Sequence, residues 1–308
     1  MQILENIRLS KFTTFKIGGE ARFFCVIKDI FDLEKIINFI NKKNLNYFIL
    51  GGGSNLLIKD EGFDGIIIKP EFNKFEIHKD GIVKVGSGID MNLLTQHLCN
   101  LGYKGLEWAG GLPGTVGGAI RGNAGCFGKE IKDIVNNVLA FNIEKEELKN
   151  FSQKEINFSY RNSFFKENKE WLIIEAEFLM ESNYDAQILI KEMNEKINYR
   201  KEKHPLKYPN AGSIFKNIEV NLSPKFLLEL AKENNLIKGN KIPTAFVIEY
   251  LGLKGKQIGG AKISEKHANF IINFNNAKAQ DVLDLISMIK EKVFEKFDYL
   301  LEEEIQIV

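Results

Sequence analysis

Only three of the 308 residues are cysteines, and Cys25, Cys99 and Cys126 stand far apart with no CxxC pair among them. That spacing argues against a disulfide framework and a zinc site and points to a reducing compartment. No apolar run approaches the roughly 18 residues needed to span a bilayer. The amino-terminal MQILENIRLSKFTTF is charged and polar where a secretory signal needs an apolar block, so a cytoplasmic protein is expected. An excess of one charge is missing too: 42 basic residues stand against 41 acidic ones, and the net +1 creates no global field for nucleic acid or an anionic membrane. Any phosphate must be held by local groups. The common nucleotide fingerprints are also absent. No GxxxxGK[ST] occurs, and the nearest approach to GxGxxG, Gly86-Ser87-Gly88-Ile89-Asp90-Met91, lacks its third glycine, which argues against an ordinary Walker or Rossmann site.

What the chain has instead is glycine in two concentrated loops. Ala109 to Gly125 reads AGGLPGTVGGAIRGNAG, a stretch from which side-chain bulk has almost been removed. Glycine admits positive φ and lets another molecule come within contact distance of the peptide groups. Gly51-Gly52-Gly53-Ser54-Asn55-Leu56 follows the apolar run Tyr47 to Leu50 and repeats the device. Two such loops suit one extended, phosphate-bearing cofactor. Cys126, next to the longer loop, reads as a small packed residue, since no histidine lies beside it to activate the thiol.

The 44% hydrophobic and 27% charged content is that of a globular protein of about two or three domains. Leu33, Ile36, Ile37 and Ile40 recur at helical spacing, predicting a helix from Asp32 to about Asn44 with Asp32 as its cap. Strands are predicted at Tyr47 to Leu50, Ile66 to Ile68, Ile82 to Val85, Ile134 to Ile143, Trp171 to Met180 and Asn269 to Asn273. Helices are predicted after Asp90, over Asp185 to Lys203 with a mostly solvated face, over Lys225 to Glu233, and along Val282, Leu285, Ile286, Ile289, Val293 and Phe297. The chain closes on Ile305 to Val308 as an alternating strand. Helices and strands mix without strict alternation, so the class is α+β. His204-Pro205 breaks the polar helix and places a domain boundary near 205.

Three places could carry chemistry. Ser213, in Asn210-Ala211-Gly212-Ser213-Ile214-Phe215-Lys216-Asn217, can present an unobstructed hydroxyl after Ala-Gly, with Lys216 and Asn217 close by as a cation and an amide. Arg161 is framed by aromatics in Phe158-Ser159-Tyr160-Arg161-Asn162-Ser163-Phe164-Phe165. Glu302, Glu303 and Glu304 form a carboxylate run in which strand alternation sends Glu304 and Gln306 to the face opposite Ile305 and Ile307. Adjacent carboxylates raise one another's pKa.

Taken in order, TFKIGG (Thr14 to Gly19), LGGGSNLLI (Leu50 to Ile58), the long glycine loop, YRNSFF (Tyr160 to Phe165), KHPLKYPNAGSIFKN (Lys203 to Asn217), GLKGKQIGGAKISEKHANFIIN (Gly252 to Asn273) and LLEEEI (Leu300 to Ile305) make a chain that resembles the UDP-N-acetylenolpyruvoylglucosamine reductase (MurB) family nearly end to end. The resemblance implies a two-part FAD-binding module of the vanillyl-alcohol-oxidase/PCMH type, as subdomains 1–70 and 71–204, followed by a substrate-binding α+β domain over 205–308. It implies noncovalent FAD with NADPH as electron donor, UDP-N-acetylglucosamine enolpyruvate as substrate, a monomer, and no nucleic acid or membrane partner. The flavin would contact Gly51, Gly52, Gly53, Ser54, Asn55 and Leu56 in the first loop, and Gly110, Gly114, Thr115, Gly117, Gly118, Asn123 and Ala124 in the second. Arg161 matches the family's arginine, Ser213 its proton donor and Glu304 its catalytic glutamate, while Tyr160, Lys203 and Asn217 match substrate-binding positions. His267, inside SEKHANF, is expected to be structural.

Three features depart from the family pattern. Thr13-Thr14 stands where Asn-Thr is usual. About twenty extra residues, Leu222 to Pro243, intervene before the Gly-Leu-Lys-Gly stretch, and their Phe226, Leu227, Leu230 spacing suggests a helix packed on the third domain. Glu303 occupies a position where proline is frequent.

Overall fold

Leu33, Ile36, Ile37 and Ile40 fall on one buried face of a helix running Ile30–Lys43. The computed structural model, which describes residues 1–78 and 80–308, starts this helix two residues before the expected cap. Asp29 is extended at φ −146° and its carboxylate accepts the Asp32 amide at 3.0 Å, so Asp29 satisfies the free N–H and Asp32 does not. Asp32 is instead buried within the first turn, where it accepts the Lys28 amide at 3.2 Å and pairs with the Met1 amino group at 3.4 Å.

Contacts divide the chain into two units: Met1–Ile7, Ala21–Gly52 and Asp64–Arg200 in the first, and Arg8–Glu20, Gly53–Phe63 and Lys201–Val308 in the second. The first unit is built on a four-stranded and a five-stranded sheet. One runs Ile3–Arg8, Glu20–Ile27, Phe63–Pro70, Tyr47–Ile49, and its last pair is parallel. Its Phe23, Cys25, Ile27, Ile66 and Ile68 share a core with the Ile30–Lys43 helix. The other is an antiparallel sheet in the order Glu147–Ser152, Val135–Asn142, Trp171–Leu179, Ile82–Gly86, Phe75–Ile77. Against it pack the helix Met91–Asn100, whose cap is Asp90 as predicted, and the short helix Val116–Arg121 inside the long glycine loop. The Ala186–Lys203 helix buries Leu189 and Met193 beside Cys99.

The second unit is built on an antiparallel sheet ordered Asn210–Ser213, Phe270–Asn273, Ala261–Ile263, Gln257–Ile258. The Ala279–Phe297 helix buries all six predicted apolar positions in the same core as Ala261, Ile263 and Ile271. Its first turn is closed by Asp60, whose carboxylate accepts the amides of Ala279 at 3.0 Å and Gln280 at 3.2 Å. The extra segment forms the expected helix, Lys225–Glu233, and inserts Leu227 and Ala231 into that core. At the terminus the strand is short, Gln306–Ile307, paired parallel to Leu56–Leu57. With so short a strand the alternation fails: Ile305 is 5% exposed but Ile307 is 37% exposed, so the two isoleucines do not share a buried face.

Removing the Asp29 carboxylate leaves the first turn without its acceptor, so Asp29→Ala is expected to destabilise the chain by about 1 kcal/mol in urea unfolding.

Candidate active site

The loop glycines serve two different physical ends. A Cβ on Gly52 would stand 2.5 Å from the Gly114 Cα, and one on Gly117 would stand 2.9 Å from the Ser87 Cβ. Main chain meets main chain there because nothing lies between. Gly110 is likewise pressed on the Met193 carbonyl, 2.6 Å from where its Cβ would be. Gly53 needs glycine twice over: φ is +63°, and a Cβ would strike the Phe12 carbonyl. Gly118 is different, since a Cβ there would meet only the Thr115 Oγ1, at 3.6 Å. Gly122 would meet only the Gly118 carbonyl, at 3.5 Å. These two leave an open, side-chain-free surface on the Val116–Arg121 helix. Thr115 caps that helix, its Oγ1 accepting the Gly118 amide at 3.4 Å.

Asn123 is completely buried at φ +43°, and its amide braces the loop. It donates to the Ser159 carbonyl at 2.8 Å and to Glu130 at 3.1 Å. This fastens YRNSFF to the glycine loop, an attachment reinforced by Ser163 donating to the Arg121 carbonyl at 2.8 Å. Ala124 is held through its own amide to Ala119 at 2.8 Å. Arg161 sits between these attachments in the left-handed region, φ +57°, which costs a non-glycine residue on the order of 1 kcal/mol or more. Its guanidinium lies 5.1 Å from the Tyr160 ring centroid and donates to the Gly125 carbonyl at 2.9 Å.

Arg200 escaped the sequence reading. It is 8% exposed, and its guanidinium donates to the Gly110 carbonyl at 3.0 Å and to the Cys126 sulfur at 2.8 Å while lying over Phe127. Among the described residues no carboxylate pairs with it. Burial pushes the Cys126 thiol up, and the neighbouring Arg200 guanidinium opposes that shift. The signal was the apolar stripe Leu189, Met193, Ile197, on whose continuation Arg200 falls in a helix otherwise rich in Lys and Glu.

In the second unit, Ser213 ends the Asn210–Ser213 strand after Gly212, whose φ of +80° comes with no atom within 4 Å of a Cβ position. Among the described residues the Ser213 hydroxyl has no protein partner. The main chain beside it is fixed. The Ile214 carbonyl accepts the Glu304 amide at 2.7 Å, bringing the Ser213 segment and the carboxylate run together. Buried Asn269 exchanges hydrogen bonds with Phe215, accepting its amide at 3.0 Å and donating to its carbonyl at 2.8 Å. Asn55 donates to the Glu304 carbonyl at 2.9 Å and accepts the Gln306 amide at 3.0 Å, so the GGGSN motif also holds the carboxylate run. The repulsion expected among three adjacent carboxylates is offset, since Glu302 pairs with Lys216 at 2.9 Å and Glu303 with Lys290 at 2.8 Å. Asn217 is exposed and accepts the Thr244 amide at 3.2 Å. Thr14 bonds the Asn210 carbonyl at 2.7 Å, tying TFKIGG to this strand.

A cavity of about 460 Å³ lies on the sheet face carrying Lys262, Ser264 and Ile272, walled also by Lys201, Lys207, Tyr208, Lys266 and Phe274. Lys203 is exposed beside this segment, 2.7 Å from Glu202. His267 packs edge-on to Phe270 near His204, its Nδ1 buried without a partner among the described residues and its pKa lowered by burial.

The open main chain at Gly118 and Gly122 and the fixed turns around them fit a flat cofactor laid on peptide groups. Residues 21–146 match an FAD-binding domain, which makes the protein a flavoprotein of the two-part FAD-binding class. Residues 204–308 match the C-terminal domain of UDP-N-acetylenolpyruvoylglucosamine reductase. The whole chain is 41% identical to that reductase from Carboxydothermus hydrogenoformans, covering 99% of this chain and 94% of the relative, and 39% identical to that from Caldicellulosiruptor bescii, covering 100% and 91%. The crystal structure of the Thermus caldophilus enzyme superposes with a TM-score of 0.78 at 28% identity, covering 100% of this chain and 99% of that one. The chain belongs to the UDP-N-acetylenolpyruvoylglucosamine reductase family.

The two kinds of glycine can be separated. Gly118→Ala is expected to leave the apoprotein as stable as wild type or about 1 kcal/mol more stable, since alanine favours the helix, while weakening FAD retention. Gly52→Ala is expected to lower apoprotein stability itself. Thermal melts of flavin-free protein and the flavin-to-protein absorbance ratio distinguish them.

Proposed function

We infer that this chain reduces the enolpyruvyl ether of UDP-N-acetylglucosamine to UDP-N-acetylmuramate with NADPH, a step of peptidoglycan precursor synthesis. The observation that carries the reading is the uncommitted Ser213 hydroxyl, on a segment whose next carbonyl holds the main chain of Glu304. Bound FAD would supply hydride transfer from NADPH to the terminal carbon of the enolpyruvyl double bond. Negative charge then develops on the carbon beside the substrate carboxylate. Arg161, held in a left-handed turn by loop and ring contacts, is proposed to stabilise that charge, an interaction worth about 3 to 4 kcal/mol for one preorganised donor.

A carbanion conjugated to a carboxylate is a strong base, so an ordinary hydroxyl suffices as its acid. Ser213 is proposed to give that proton. Glu304 would repel the substrate carboxylate if both were ionised, so it is proposed to be protonated in the complex and to donate a hydrogen bond. Lys203, Asn217 and Tyr160 are proposed to bind the nucleotide sugar. The cavity beside Tyr208 and Phe274, ringed by lysines, has the mixed aromatic and cationic lining that suits a nucleoside diphosphate. The reading further proposes a cytoplasmic monomer without nucleic-acid or membrane partners. Among the described residues no helix is long and apolar enough to cross a membrane.

The test is anaerobic. NADPH is expected to bleach the yellow holoprotein, and added enolpyruvyl sugar nucleotide to restore its colour. Ser213→Ala should bleach at the wild-type rate yet lose turnover by about 10²- to 10⁴-fold. Glu304→Ala should lose turnover as well. Failure of the sugar nucleotide to reoxidise the wild-type flavin would remove the proposed function, and unchanged turnover in Ser213→Ala would remove the proton donor.

A further inference from the structure

The Val116–Arg121 helix has one packed face and one open face. Val116, Ala119 and Ile120 are buried and Gly117 is pressed on Ser87, whereas Gly118 and Gly122 look onto space. Helical spacing puts Arg121 with the open pair, three residues after Gly118 and beside Gly122. Its guanidinium is half-buried, and among the described residues it makes no hydrogen bond, ion pair or ring contact. Burial pushes its pKa below the ordinary range with no carboxylate to oppose the shift. A guanidinium does not shed its proton at working pH. A partly desolvated cation is therefore kept without a counter-charge, at a cost in stability.

The surroundings say which anion suits it. A diphosphate held at this point would want free main-chain donors, but those adjoining Arg121 are spent: Gly122, Asn123 and Ala124 donate to the carbonyls of Gly118, Ile120 and Ala119 at 3.1, 3.1 and 2.8 Å. What remains is a flat surface without side chains and one fixed positive charge. That combination suits a planar ring that is neutral in one state and negative in another. The isoalloxazine is such a ring, because hydride addition delivers two electrons and one proton and leaves the pyrimidine portion with a negative charge.

We propose that Arg121 is a flavin-tuning residue that serves the pyrimidine edge of the bound isoalloxazine and stabilises its reduced, anionic form over its oxidised form. The proposal rests on the FAD-dependent reading above and goes beyond it. Arg121 takes no part in delivering hydride or proton, and it sets how readily the electrons rest on the flavin before the sugar nucleotide takes them. A helix-terminal cation acting only on the helix dipole would change stability and leave the flavin's electron affinity alone.

The experiment compares holoprotein of wild type, Arg121→Met and Arg121→Lys by two measurements: the two-electron midpoint potential, by equilibration with a reference dye, and the dissociation constant of oxidised FAD. Arg121→Met is expected to lose about tenfold in its preference for reduced over oxidised flavin, which for two electrons is about 30 mV more negative. Its affinity for oxidised FAD should change less than threefold, and Arg121→Lys should recover most of the potential. An unchanged potential in Arg121→Met overturns the proposal. Equal weakening of oxidised and reduced FAD, or complete loss of oxidised FAD, also overturns it, since either assigns Arg121 to the permanent charge of the diphosphate. Wild-type protein that takes up no FAD would sink the functional reading instead.

Discussion

Close approach of main chain to main chain is the constraint on which the glycine loops of the first unit depend. Gly52 lies against Gly114, and Gly117 lies against Ser87, with no room for a Cβ in either place. Those contacts fix where the Val116–Arg121 helix stands, and the helix in turn exposes Gly118 and Gly122. A loop built for turning alone would need fewer glycines, and a loop built for binding alone would not need its glycines pressed on neighbours. This loop does both, and Thr115 and Asn123 lock the result by capping the helix and bracing the turn behind it. Arg161 inherits its position from the same brace, so the glycine loop and the proposed catalytic arginine share one support.

The second unit solves a different problem, holding the Ser213 segment beside the carboxylate run. Four segments far apart in sequence meet for this purpose. Ile214 and Asn55 hold the main chain of Glu304 from its amide and its carbonyl, and Asn269 holds Phe215. Lys216 and Lys290 neutralise Glu302 and Glu303. Main-chain bonds thus do the positioning, and among the described residues the Ser213 hydroxyl stays without a protein partner.

Much of this was legible in the sequence where the signal is local. Helical spacing gave the faces of the Ile30–Lys43 and Ala279–Phe297 helices, and Asp90 was read correctly as a cap, because periodicity and capping are properties of a few neighbouring residues. Asp29 was missed because two aspartates three apart each satisfy the capping pattern, and only backbone conformation separates them. The carboxyl-terminal alternation failed because two paired residues do not impose a face. Glycine loops were visible as loops, but whether each glycine is packed or open depends on what stands opposite, which spacing does not encode. Arg200 hid in a helix whose composition is that of a solvated surface, and Asn269 hid among the residues of a family motif. Both act through main-chain groups distant in sequence.

If side-chain-free main chain is what receives the flavin, the purified, flavin-stripped chain should bind FAD without any other component. The direct measurement is a titration of that apoprotein with FAD, followed by quenching of flavin fluorescence and by the absorbance of the recovered protein. One FAD per chain, with the yellow colour surviving gel filtration, is the result expected. Apoprotein that is folded by circular dichroism yet leaves the added FAD free would contradict the account.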